Sequence, residues 1–205
     1  MNKIVFFDID GTLFDTAKFL EDFRSKLSVE FKDPSLQEIN FASLSNEVKR
    51  EQGYFIPSFF LDKISALSRK IDRKKLDDLF WDNSFISEHL FSDSSTVSEL
   101  PHNIEVGIYS KGDETWQKRK INSLLENIKA ENIYIFPDKL ASAKSVFNRY
   151  AENSILLVDN DVNVFKKIKD LFPLVNCILI DRQGNLEDNV GVQKITSLKE
   201  LNNLI

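Results

Sequence analysis

At 205 residues the chain is longer than one typical domain and too short for two of full size, which favours a core domain carrying a smaller insertion. A net charge of −5, with Lys and Arg scattered among acids, supplies no basic patch to track a nucleic-acid polymer, and no apolar run approaches the roughly 20 residues of a membrane span. The single Cys177, within VNCILI, excludes an internal disulfide or a thiolate cluster; a cytoplasmic protein with no membrane or nucleic-acid partner is expected, and its oligomeric state is left open.

The stretch IVFF at 4–7 reads as a short strand that is apolar on both faces, as in a central parallel strand covered by helices. It runs into VFFDIDGTLFD, where Asp8 and Asp10 follow the apolar run and Gly11 permits a sharp turn. Residues two apart along a strand point the same way, so the two carboxylates should project together. Their repulsion calls for a compensating charge, for which a divalent cation with oxygen ligands is the economical candidate.

Residues 16–98 break the strand rhythm and predict a helical insertion. Leu20, Phe23 and Leu27 form one stripe; Phe60, Ile64, Leu67 and Ile71 a second; Leu76, Leu79 and Phe80 a third. Pro34, Gly53, Pro57 and SDSSTVS at 92–98 mark breaks. Asp15 is expected to cap the first of these helices, Trp81 and the phenylalanines to pack, and His89 and His102 to lie at the surface or a boundary.

Beyond residue 98, IEVGIYS (104–110), NIYIF (132–136), SILLVDN (154–160) and NCILID (176–181) read as buried strands. Between them Trp116, Ile121, Leu124 and Leu125, then Val146, Phe147 and Tyr150, then Val164, Phe165, Ile168 and Leu171 carry helical spacing, and Pro173 closes the last. Ser197 and Glu200 in the tail form a capping-box pattern. The alternation implies an α/β fold, a Rossmann-like doubly wound parallel sheet with a helical insertion, its ligand beyond the carboxyl ends of the strands. Residues 1–15 and 99–205 would form the core and 16–98 the inserted domain.

DIDGTLFD, GIYSKG, a lysine at 139 and LLVDND occur in order, each at a strand end. In this the chain resembles the haloacid dehalogenase superfamily, in particular its phosphatase branch with a helical C1-type cap after the first motif. The resemblance implies a Mg²⁺-dependent phosphohydrolase that cleaves a small phosphorylated metabolite. Asp8 would be the nucleophile forming an aspartyl-phosphate, and Asp10 the general acid and base. Thr12 would steady the motif or touch substrate. Ser110 and Lys111 would bind the phosphoryl group, and Lys139, with Lys144 as rival, would offset its charge. The metal would be held by Asp8, Asp159 and, through its backbone carbonyl, Asp10. The usual second acid beside Asp159 is replaced by Asn160, so either Asn160 or Asp161 would support the metal shell, with Asp161 the candidate that offers the charge. A phosphomutase or a non-catalytic binding protein would share this layout; a dehalogenase would not need Asp10.

Overall fold

A computed structural model describes residues 3–184 and 192–205. β1 (Lys3–Phe7) sits inside a parallel sheet between β2 (Ile104–Lys111) and β4 (Ile155–Asp159). β3 (Ile133–Phe136) extends the sheet on one side, and β5 (Asn176–Ile180) and β6 (Gln193–Ile195) on the other, giving the order β3-β2-β1-β4-β5-β6. The order reverses between β1 and β4, where such sheets open a crevice at their carboxyl ends.

Alternation along β1 divides its apolar side chains between two cores. Val5 and Phe7 face one, with Ile108, Val158, Ile178 and the inserted helices. Ile4 and Phe6 face the other, with Tyr109, Leu157, α8 (Ala143–Phe147) and α9 (Val162–Leu171). Both faces are therefore dry, which accounts for the unbroken hydrophobicity of IVFF.

The segment between β1 and β2 is helical: α1 (Thr16–Glu30), α2 (Phe41–Gln52), α3 (Pro57–Ser65), α4 (Arg73–Phe80), α5 (Asn83–Ser87) and α6 (Thr96–Glu99). Asp15 caps α1, its carboxylate accepting from the Lys18 amide at 3.0 Å. Phe19, Phe23, Phe60 and Phe80 pack at its centre. Trp116, on α7 (Glu114–Lys120) after β2, reaches into this cluster, 4.6 Å from Phe80 and 5.2 Å from Phe19 between ring centroids. Among the described residues no helix is long and apolar enough to cross a membrane.

Several sequence expectations need correction. Leu67 and Ile71 do not continue the stripe of Phe60 and Ile64: α3 stops at Ser65, and Asp72 caps a new helix through the Lys75 amide, leaving Leu67 45% exposed. The capping box of Ser197 and Glu200 forms, but it opens a 3₁₀ segment, Leu198–Asn203. β6 was not anticipated, since three residues, QKI, carry too little pattern. His89 is buried, with Nε2 3.0 Å from Asp22 and Nδ1 2.8 Å from the Phe85 carbonyl, whereas His102 is exposed.

Candidate active site

β1 delivers Asp8 to the crevice, and the Asp8 amide extends the ladder by donating to the Val158 carbonyl at 3.0 Å. The chain then folds on itself: the amides of Thr12, Leu13 and Phe14 all point to the Ile9 carbonyl. Gly11 adopts φ +77°, and a Cβ there would fall 2.2 Å from the Asn160 side-chain nitrogen. The left-handed conformation favours glycine here, and the Asn160 side chain fills the space a Cβ would take.

Asp159 ends β4 with no solvent exposure, and Asp8 is 5% exposed. Between them lies the Lys139 ammonium, 2.8 Å from Asp8 Oδ1 and 2.6 Å from Asp159 Oδ2. The Tyr109 hydroxyl donates to the Lys139 carbonyl, and the Asp138 carboxylate accepts from the Leu140 and Ala141 amides, so the loop after β3 is tied at both flanks. Two carboxylates share one ammonium, leaving a buried excess of one negative charge. Burial, reinforced by the Asp8 charge, pushes the Asp159 carboxyl up to about 7 despite Lys139. Burial also works against the Lys139 charge, but the two carboxylates override it and hold the ammonium above the ordinary lysine range.

Asp10 points elsewhere. Its Oδ1 accepts from the Thr16 hydroxyl and from the Lys120 ammonium at 2.5 Å, and its Oδ2 accepts from Gln117 Nε2 at 2.7 Å. Burial raises the carboxyl's pKa, but the Lys120 charge and these hydrogen bonds outweigh it and hold the group at about 2. Gln117 Nε2 also reaches the Lys111 carbonyl at 2.7 Å, an approach allowed by Gly112 at φ +149°, where a Cβ would meet that nitrogen at 2.7 Å. A cleft of about 670 Å³ opens over Asp8, Asp10 and Asp159, with Ser45, Lys49, Tyr54 and Phe55 of the insertion on its far wall.

No sequence-family profile matches the chain, and no curated protein matches it by sequence. Solved structures do. A haloacid dehalogenase-like hydrolase from Burkholderia xenovorans LB400 superposes with a TM-score of 0.76 over 100% of this chain and 97% of that one, at 19% identity. An L-2-haloacid dehalogenase from Xanthobacter autotrophicus with chloropropionic acid covalently bound gives 0.66 over 100% and 98%, at 14% identity. A HAD-hydrolase from Bacillus subtilis bound to magnesium gives 0.64 over 99% and 98%, at 16% identity. This chain has the haloacid dehalogenase fold.

Within that fold the structure brings Asp8, Lys139 and Asp159 into direct contact, with Asp10 in the same cleft. Lys111 and Asp161 lie at its rim; Oδ1 of Asp161 accepts from the Asn163 amide as the cap of α9, and its own amide donates to Asp159 Oδ1 at 2.9 Å. Thr12 and Ser110 are buried behind the cleft wall, and among the described residues neither hydroxyl has a hydrogen-bond partner. Lys144 lies on α8 and does not line the cleft. Side chains 8, 10 and 159 do not converge on one point, because Lys120 and Gln117 turn the Asp10 carboxylate toward α7. Among the described residues no three acidic, His or Cys side chains form a metal cage. Sequence reasoning passed over Thr16, Gln117 and Lys120: a lysine in the basic run QKRK reads as solvated helix surface, yet Lys120 is 3% exposed.

Proposed function

We propose that the protein is a Mg²⁺-dependent phosphohydrolase that cleaves a small phosphorylated metabolite through an aspartyl-phosphate on Asp8. The observation that carries this reading is the pairing, in one cleft, of two carboxylates held by different partners. Asp8 is buried against an ammonium, and Asp10, two residues on, is held separately by three donors.

The donor set suits a hard divalent cation. Asp8 Oδ2 takes no hydrogen bond from the described residues, Asp159 is wholly buried, and the trio with Lys139 carries an uncompensated negative charge. Asp8, Asp159 and the Asp10 carbonyl would hold Mg²⁺. Once bound it would neutralise charge on the transferring phosphoryl group.

An Asp8 carboxylate oxygen attacks phosphorus as the bond to the ester oxygen breaks, and the departing alkoxide takes a proton from Asp10. Water then attacks the same phosphorus, gives its proton back to Asp10, and the Asp8–phosphorus bond breaks. Lys139 stays close to the equatorial oxygens. The Lys120 charge favours ionised Asp10, which suits the second displacement; an anionic phosphoryl group in the cleft opposes that pull and favours the proton needed in the first. The helical insertion serves as the cap, excluding water and selecting substrate through its wall of Ser45, Lys49, Tyr54 and Phe55.

Dehalogenation is the competing reading, given the fold it shares with this chain. A halide leaves without a proton, so Asp10 and its three donors would have no task. The deciding assay is hydrolysis of p-nitrophenyl phosphate with and without Mg²⁺, with Asp8→Asn as control. Activity lost under either change supports the reading; activity that survives both ends it. A panel of phosphorylated sugars, nucleotides and acids then finds the substrate.

A further inference from the structure

We propose that Lys120 is a positioning residue for the reaction, fixing the Asp10 carboxyl for proton transfer to the leaving group; this rests on the hydrolase reading above. The ammonium of Lys120 lies 2.5 Å from Asp10 Oδ1 and 3.0 Å from Gln117 Oε1, and sits 5.3 Å and 5.1 Å from the ring centres of Phe14 and Trp116. Its side chain is 2% exposed.

Burying an ammonium is costly unless it is fully compensated, and a buried ion pair is at best neutral for stability against apolar side chains of the same volume. A methionine would fill this position between two aromatic rings without that cost. What the lysine adds is a directional tether on one carboxylate oxygen, while Gln117, from the same face of α7, tethers the other. Three donors on two oxygens leave Asp10 one orientation. The neighbouring basic side chains of the helix are spent elsewhere, Lys118 on Glu114 and Arg119 on Asn83, so the tether belongs to Lys120. Proton transfer depends steeply on such placement, and more so the poorer the leaving group.

The test compares Lys120→Met with the wild type on two esters, phenyl phosphate, whose leaving group needs a proton, and p-nitrophenyl phosphate, whose leaving group needs it far less. The expected result is a fall in kcat of about 10- to 100-fold on phenyl phosphate and less than about threefold on p-nitrophenyl phosphate, with KM little changed on either. Added methylammonium should restore part of the phenyl phosphate rate by refilling the ammonium position. Equal losses on the two esters, or no loss on phenyl phosphate, would show that Lys120 does not act on proton transfer to the leaving group and overturn the proposal. A wild type inactive on both esters overturns the hydrolase reading and this inference with it. Should Lys120→Met not fold, Gln117→Leu, which removes the other tether, is read on the same pair of esters by the same criteria.

Discussion

Replacing Asp159 by Asn should make the metal-free protein more stable while abolishing its catalysis. Asp159 has no exposure and shares Lys139 with Asp8, so the trio carries one negative charge too many. With its carboxyl raised from 3.8 to about 7, the folded state binds a proton that the unfolded chain has released. The stability linked to this group is therefore fully present below about pH 4 and lost as pH rises through about 7. At about 1.4 kcal/mol per pH unit, the loss is on the order of 4 kcal/mol. An asparagine oxygen turned toward Lys139 keeps that hydrogen bond and gives up the one from the Asp161 amide, at about 1 kcal/mol, and Lys139 keeps Asp8 in a one-to-one pair. For a chain of this size each kcal/mol moves Tm by about 2–4 °C. Thermal unfolding in EDTA at pH 8 should place Asp159→Asn above the wild type by about 5 °C or more, with the gap closing at pH 5. Mg²⁺ should raise the wild-type Tm at pH 8 and leave the variant nearly unmoved. A variant less stable than the wild type at pH 8, or a gap independent of pH, would refute the charge reasoning.

Lys139→Met should eliminate hydrolysis and, by leaving Asp8 and Asp159 facing each other unpaired, cost about 3–5 kcal/mol near neutral pH, read by urea denaturation. Trp116→Ala should cost about 3–5 kcal/mol, because it removes the ring that joins α7 to Phe19 and Phe80 and that flanks Lys120; a lower Tm together with a reduced rate on phenyl phosphate is the expected pattern. Asp93 is buried and accepts from Arg182, Ser197 and the Leu198 amide; burial pushes its carboxyl up, and these donors more than reverse that. Its contribution is thus present above the ordinary carboxylate value of 3.8 and lost as pH falls through the lower folded value, so Asp93→Asn should flatten the acid limb of a Tm-against-pH curve.

The sheet was legible because the strands β1, β4 and β5 are largely buried on both faces and so read as near-continuous apolar runs; β6, three residues long, carries no such signal. Register then dictates much of the site. β1 and β4 are adjacent with Phe7 beside Val158, so residues 8 and 159 must meet at the crevice wherever the loops go. The rest of the site depends on side chains that cross between elements. Nothing in QKRK sets Lys120 apart from its neighbours; what buries it is the placement of Phe14 and Trp116, which no local pattern encodes. The turn of Asp10 toward α7 has the same origin. Alternation along a strand puts residues 8 and 10 on one side, but the chain has left the strand at Asp8 and folded around the Ile9 carbonyl before Asp10 is placed. The burial of His89 has a similar origin, since its partner Asp22 lies 67 positions away on α1.

The most direct test of the account is rapid acid quenching of the protein during turnover of p-nitrophenyl phosphate with Mg²⁺, followed by mass spectrometry of the peptide that holds Asp8. A phosphoryl group on Asp8, formed only with Mg²⁺ and absent from Asp8→Asn, is the predicted result. Steady turnover with Asp8 never modified, or modification at another residue, would contradict it.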